Sequence, residues 1–89
     1  MTEKQAPKIE FPCRYPIKVI GRATPGYAEA MRAIFERHAN GLIDADIETR
    51  SSRAGTFDSI TFTIMATGPD QLDALHKDLV ASGRVSMVI

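Results

Sequence analysis

Gly21-Arg22-Ala23-Thr24-Pro25-Gly26 is the stretch of this chain whose residue types and spacing best suit the capture of a small molecule. Two glycines flank a cation and a hydroxyl. Where such a loop runs into a helix, its backbone amides face an anion with the positive end of the helix dipole behind them. Gly21, Arg22, Thr24 and Gly26 are therefore the candidate ligand-binding residues. The plain reading of the same stretch is structural: Gly21 permits a tight turn, and Thr24-Pro25 caps a helix with proline at its first position. Both readings stay open at this stage. A phosphate-binding P-loop is excluded, because it closes on Gly-Lys-Ser/Thr and here Gly26 is followed by Tyr27 and Ala28.

Other constellations carry less. Acylphosphatases open a loop with Gly-Arg, as Gly21-Arg22 does, but then need an arginine soon after the second glycine and an asparagine to orient water. Arg32 lies too far along, and Asn40 stands at the far end of the following helix. Asp44, Asp46 and Glu48 recur at a spacing of two, so on a strand they share one face and could hold a hard cation; a solvated edge strand uses the same pattern against aggregation. Cys13, His38 and His76 are too scattered for a metal cluster or an activated nucleophile. Arg50 and Arg53, with serines between them, make a basic turn suited to an anionic partner or to solvent. RNA recognition on a sheet needs outward aromatics, and the outward residues expected here are Ser59, Thr61 and Thr63. The chain thus points to no metal, no cofactor, no nucleic acid and no catalytic residue.

The elements that must position these groups are legible from periodicity. Tyr15 to Gly21 alternates like a strand with Ile17 and Val19 on one face and Lys18 on the other. A helix is expected from Thr24-Pro25 to His38, with Tyr27, Met31, Ile34 and Phe35 on its buried side and Asn40-Gly41 as its left-handed stop. Ile43, Ala45, Ile47 and Thr49 alternate with Asp44, Asp46, Glu48 and Arg50, which predicts a second strand from Ile43. Turn residues Ser51 to Gly55 lead into a third strand that buries Ile60, Phe62, Ile64 and Ala66. Thr67-Gly68-Pro69-Asp70 starts a second helix with Leu72, Leu75 and Leu79 inward, Ser82-Gly83 ends it, and Val85 to Ile89 is a last strand. The order β-α-β-β-α-β predicts an α+β fold, a ferredoxin-like βαββαβ sandwich with a four-stranded antiparallel sheet and two helices on one face. The Ala23-Thr24-Pro25 and Ala66-Thr67-Gly68-Pro69 starts echo each other, as an internal duplication would.

Length and composition agree with one small domain: 89 residues, 44 % apolar and 25 % charged, make a folded chain with one core. Residues 1–10 read as a flexible N-terminal tail and 11–89 as the domain. Eleven basic residues cancel eleven acidic ones, which removes the net charge that draws proteins to nucleic acid or anionic membranes. One cysteine allows no internal disulfide, and no apolar run approaches the roughly 20 residues of a membrane span. The expected location is cytoplasmic.

Phe11-Pro12, Ile17-Lys18-Val19-Ile20-Gly21, Ser51-Ser52 before Gly55-Thr56-Phe57-Asp58-Ser59-Ile60, and Val85-Ser86-Met87-Val88-Ile89 together resemble the YbeD-like family of small uncharacterised bacterial proteins. The resemblance spans nearly everything after the tail. It departs at Ile20, where that family often has Met, at Phe57, often Tyr, and at His76, commonly aromatic. It implies a ferredoxin-like domain similar to ACT-type regulatory domains, which bind amino acids or related small molecules and usually pair. Genes of the family often stand beside lipoate-attachment genes, which implies an unknown protein partner linked to lipoate metabolism. The expected function is a non-catalytic regulatory module that binds a small metabolite near Gly21–Gly26. The alternative is a protein-interaction adaptor acting through an edge strand or the polar sheet face. A homodimer through Val85–Ile89 is expected because that strand carries no protective charge.

Overall fold

The computed structural model describes residues 10–89, so the tail expected over residues 1–10 lies, apart from Glu10, outside the described residues. Strand β1 (Cys13–Arg22), helix α1 (Tyr27–His38), strand β2 (Ile47–Ser51), strand β3 (Phe57–Ala66), helix α2 (Pro69–Ala81) and strand β4 (Val85–Val88) follow in that order. They form one antiparallel sheet in the order β2-β3-β1-β4. This is the expected ferredoxin-like arrangement. No helix among the described residues is long and apolar enough to cross a membrane.

Alternation builds the core. On β1, Ile17 and Val19 are buried while Lys18 is exposed; on β3, Ile60, Phe62, Ile64 and Ala66 are buried while the residues between them are not. Tyr27, Met31, Ile34 and Phe35 of α1 and Leu75 and Leu79 of α2 close over that face. The Phe35 and Phe62 rings stack with centroids 4.1 Å apart and planes at 19°, tying α1 to the middle of the sheet. In the same last turn of α1, His38 and Asp78 share a 2.6 Å hydrogen bond, and the Gln71 side-chain amide donates to the His38 carbonyl at 2.6 Å. These bonds fix the C-terminal turn of α1 against α2.

Two expected boundaries and one cap differ. The stretch Thr24-Pro25-Gly26 does not open α1: Pro25-Gly26 forms a turn, with Gly26 at φ 79° and ψ 2° and the Tyr27 amide donating to the Thr24 carbonyl at 3.1 Å. Those angles are the third position of a type II turn, which favours Pro before Gly. Thr24 therefore caps nothing, and α1 begins without a side-chain cap. α1 ends at His38 as expected, but Asn40-Gly41 is not its cap, since Ala39 is already extended, while Gly41 does take a left-handed φ of 75°.

The second strand starts four residues late. Asp44–Asp46 is a single 3-10 turn, Ile43 is 57 % exposed, and β2 begins only at Ile47. Ion pairs explain the override of alternation: Arg32 of α1 donates to Asp44 at 2.8 Å, and Arg14 of β1 donates to Asp46 at 2.6 Å. The carboxylates that would have lined one strand face are drawn apart toward two other elements. By contrast α2 starts with Pro69 as its first residue, and Gly83 closes it at φ 72°, as expected. β4 carries one irregularity: Ile20 faces Met87 but Gly21 faces Val85, so Ser86 is an extra residue, a β-bulge.

Candidate functional site

The sheet order sets the site. Because β4 lies beside β1 and antiparallel to it, the turn that leaves β1 and the turn that enters β4 meet at the same end of the sheet. Gly21 is where they touch. It is buried, and a Cβ there would stand 2.3 Å from the Arg84 carbonyl oxygen and 2.7 Å from the Tyr27 ring. Only a residue without a side chain lets the backbone before β4 come so close. Gly21 thus acts from beneath the site, by packing, and does not line it.

Above that contact, Arg22 and Thr24 face Gly83, Arg84, Val85 and Ser86 across a cleft of about 340 Å³. Such a volume lies at the small end of metabolite pockets, which run from about 300 to 1,000 Å³. Gly26 borders it: a Cβ on that residue would lie 3.9 Å from an Arg84 guanidinium nitrogen. Of the four residues expected to bind, Arg22 and Thr24 line the cleft, Gly26 edges it and Gly21 supports it.

Charge separates this cleft from the rest of the surface. Arg14, Arg32, Arg37 and Arg50 each have a carboxylate within 4.0 Å. Among the described residues neither Arg22 nor Arg84 has one, and no acid lines the cleft. The Arg22 guanidinium rests 5.9 Å from the centre of the Phe57 ring of β3, a cation–π placement on the side of β1 away from β4. The Arg84 amide donates to the Ser82 hydroxyl at 3.2 Å, which fixes its backbone but leaves its side chain free. Two arginines, whose guanidiniums carry five donors each, and two hydroxyl side chains make the lining rich in donors. Arg84 and Ser86 are the residues that motif reading missed. Their signal was the βαββαβ order itself, which places the start of the last strand beside the end of the first.

Below the cleft, Tyr27 is 2 % exposed and its hydroxyl has no hydrogen-bond partner. Burial pushes its phenol upward from the ordinary value, and the negative charge of Asp58 adds to that push. Asp58 itself accepts from the Ser51 hydroxyl at 2.9 Å.

The remaining candidates disperse. Asp44 and Asp46 are bound to arginines as described, Glu48 accepts from Arg50 at 3.4 Å, and the described residues contain no cluster of metal-ligand type. His38 ties α1 to α2, His76 borders an apolar groove beside α2, and Cys13 is a half-buried free thiol. On the open sheet face, Lys18, Glu48, Arg50, Ser59 and Thr61 form a shallow polar hollow. Phe57 stands on that face too, but Arg22 covers it, so it offers no free ring for a base.

Comparison with known proteins agrees with the architecture. A family described as "Protein of unknown function (DUF493)" matches residues 6–89. A UPF0250 protein of Azotobacter vinelandii is 53 % identical over 89 residues, covering 99 % of this chain and 97 % of the relative. Among solved structures, protein HP0495 from H. pylori superposes with a TM-score of 0.78 at 15 % identity, over 98 % of this chain and 91 % of that one. The ACT domain from GTP pyrophosphokinase of Chlorobium tepidum does so at 0.67 and 14 %, over 86 % and 97 %. At such identities the structural likeness concerns the fold alone.

Proposed function

The chain belongs to the DUF493 family, the group in which its YbeD-like relatives stand, and from that premise we propose that it is a non-catalytic regulatory module binding a small metabolite in the Arg22–Arg84 cleft. The observation that supports this is the meeting of two arginines from turns 62 positions apart, neither paired with a carboxylate among the described residues. Four of the five other described arginines have a carboxylate within 4.0 Å, Arg53 in the exposed turn before β3 being the exception, so two arginines without one in a single lined hollow are binding capacity the fold leaves unspent. The fold shared with an ACT domain supports the same reading. A ligand bridging the two turns would lock β4 against α1, and that change of rigidity is what a partner protein would sense.

The test is an amide NMR titration of labelled protein with amino acids, nucleotides, octanoate and lipoate. Saturable shifts confined to residues 22–26 and 83–86 are the expected result. Silence across those residues for every compound would refute the assignment.

A second reading is an adaptor that acts through β4. Lys18 and Ile89 exchange both backbone hydrogen bonds, at 3.0 and 2.8 Å, so alternation turns the amide and carbonyl of Val88 toward the unpaired edge. Met87 and Ile89 beside it are 54 % and 67 % exposed, and β4 carries no charge. A second copy of this chain, presenting the same uncharged edge antiparallel, is the simplest occupant. Sedimentation that depends on concentration and is abolished by Met87→Lys would favour this reading; a monomer at all concentrations would remove it.

A further inference from the structure

We infer that the cleft takes a small dianion, a phosphate monoester or a dicarboxylate, in preference to a zwitterionic amino acid. This rests on the reading above and narrows it to a ligand class. The argument is one of missing partners. An amino acid brings an ammonium along with its carboxylate, and the ammonium needs an acceptor, preferably an acidic one. The residues lining the cleft are Arg22, Thr24, Gly83, Arg84, Val85 and Ser86, with no carboxylate among them. The nearest acid in the pairing register, Asp58, is opposite Gly21 and therefore on the helix side of the sheet. Its carboxylate already accepts from Ser51 at 2.9 Å. A bound ammonium would meet two guanidiniums and no counter-charge.

A dianion fits where the zwitterion does not. Arg22 comes from the end of β1 and Arg84 from the start of β4, so the two residues line the cleft from different walls, and the Arg22 guanidinium reaches a guest by swinging off the Phe57 ring. Each can engage a phosphate or carboxylate through two parallel N–H donors. The Ser86 hydroxyl can donate to an oxygen that remains, and the Thr24 hydroxyl can do so by leaving the Arg22 carbonyl 3.5 Å away. The contact at Gly21 is through the Arg84 carbonyl, so the fold fixes the backbone of Arg84 while its side chain stays available. Arg84→Gln accordingly removes a guanidinium without disturbing that contact, while Arg22→Gln removes one together with its contact to the Phe57 ring.

The experiment is a titration of labelled wild type, R22Q and R84Q with four probes at matched ionic strength: phenyl phosphate, succinate, alanine and leucine. Amide signals of residues 22–26 and 83–86 and the arginine side-chain Nε–H signals are followed. The expected result is saturable shifts with phenyl phosphate, succinate or both, weakened at least tenfold in each variant, and none with alanine or leucine. Phenyl phosphate against succinate tells phosphate from carboxylate chemistry. Saturation by alanine or leucine at these residues, without the dianions, would overturn this inference and leave the binding role standing. Dianion shifts that both variants retain would overturn it as general anion attraction, and no shift with any probe would overturn it together with the role.

Discussion

Replacing Gly21 with alanine places a methyl group where two walls already meet. The new Cβ would be 2.3 Å from the Arg84 carbonyl oxygen, about 1 Å short of ordinary contact at 3.4 Å, and 2.7 Å from a carbon of the Tyr27 ring. Neither wall yields easily. The first is backbone at the entry to β4, and the second is a fully buried ring in the core. Gly21 does not use a left-handed φ, so alanine is acceptable to its backbone and the whole penalty is steric. Overpacking of this kind costs about 1–3 kcal/mol, and obstruction on two sides puts Gly21→Ala near 3 kcal/mol. In a domain of this size each kcal/mol lowers the melting temperature by roughly 4–8 °C, so a fall of about 12–24 °C is expected. Urea denaturation followed by circular dichroism measures the first number and a thermal melt the second. Gly68→Ala is the control: nothing lies within 4 Å of its Cβ position and its φ of 168° is extended backbone, so stability should move by less than about 0.5 kcal/mol. If Gly21→Ala were as mild as Gly68→Ala, the close approach of Arg84 to β1, and with it the geometry of the cleft, would be wrong.

Tyr27→Phe removes a buried hydroxyl that has no partner, so it should raise stability by about 1 kcal/mol in the same urea assay; a loss of that size would mean the hydroxyl is bonded. Phe62→Ala deletes the ring stacked on Phe35 and should cost about 3–5 kcal/mol, enough to leave a large unfolded fraction at 25 °C by circular dichroism. Asp78 is held below the usual carboxylate range by its hydrogen bond to His38, with the nearby Arg37 charge adding to the effect. Its contribution to stability is therefore fully present above the ordinary carboxylate pKa and is lost as pH falls through the lowered folded value. The difference in urea midpoint between wild type and Asp78→Asn should accordingly be larger at pH 6 than at pH 2.5, and an equal difference at both would refute the bond.

Periodicity made the sheet and both helices legible, because Ile17, Val19, Ile60, Phe62 and Ile64 must share one face for the chain to bury a core. It misplaced the start of β2, since the alternation of residues 43–46 is real in the sequence but loses to charge partners on α1 and β1 that no local pattern records. Thr24-Pro25 has the residue types of a helix start, yet Pro25-Gly26 forms a turn. Proline fits both the first position of a helix and the second of a type II turn, and the φ of Gly26 decides between them. Half of the cleft was visible in one continuous stretch. The other half, Arg84 and Ser86, lies far along the chain, where no motif marks it and only strand order brings it home.

The bulge at Ser86 has a bearing on how β4 can be used. An extra residue strengthens local twist and interrupts the ladder, which makes that part of an edge a poor template for another strand. It also lets Val85 stay packed against the core while Ser86 turns to the cleft. The remainder of the strand, toward Val88, keeps regular pairing with β1 and an open outer rim. β4 is thus divided along its length into a kinked half beside the cleft and a straight half with an unpaired rim. The two proposed uses would fall on different stretches of backbone, so neither would exclude the other.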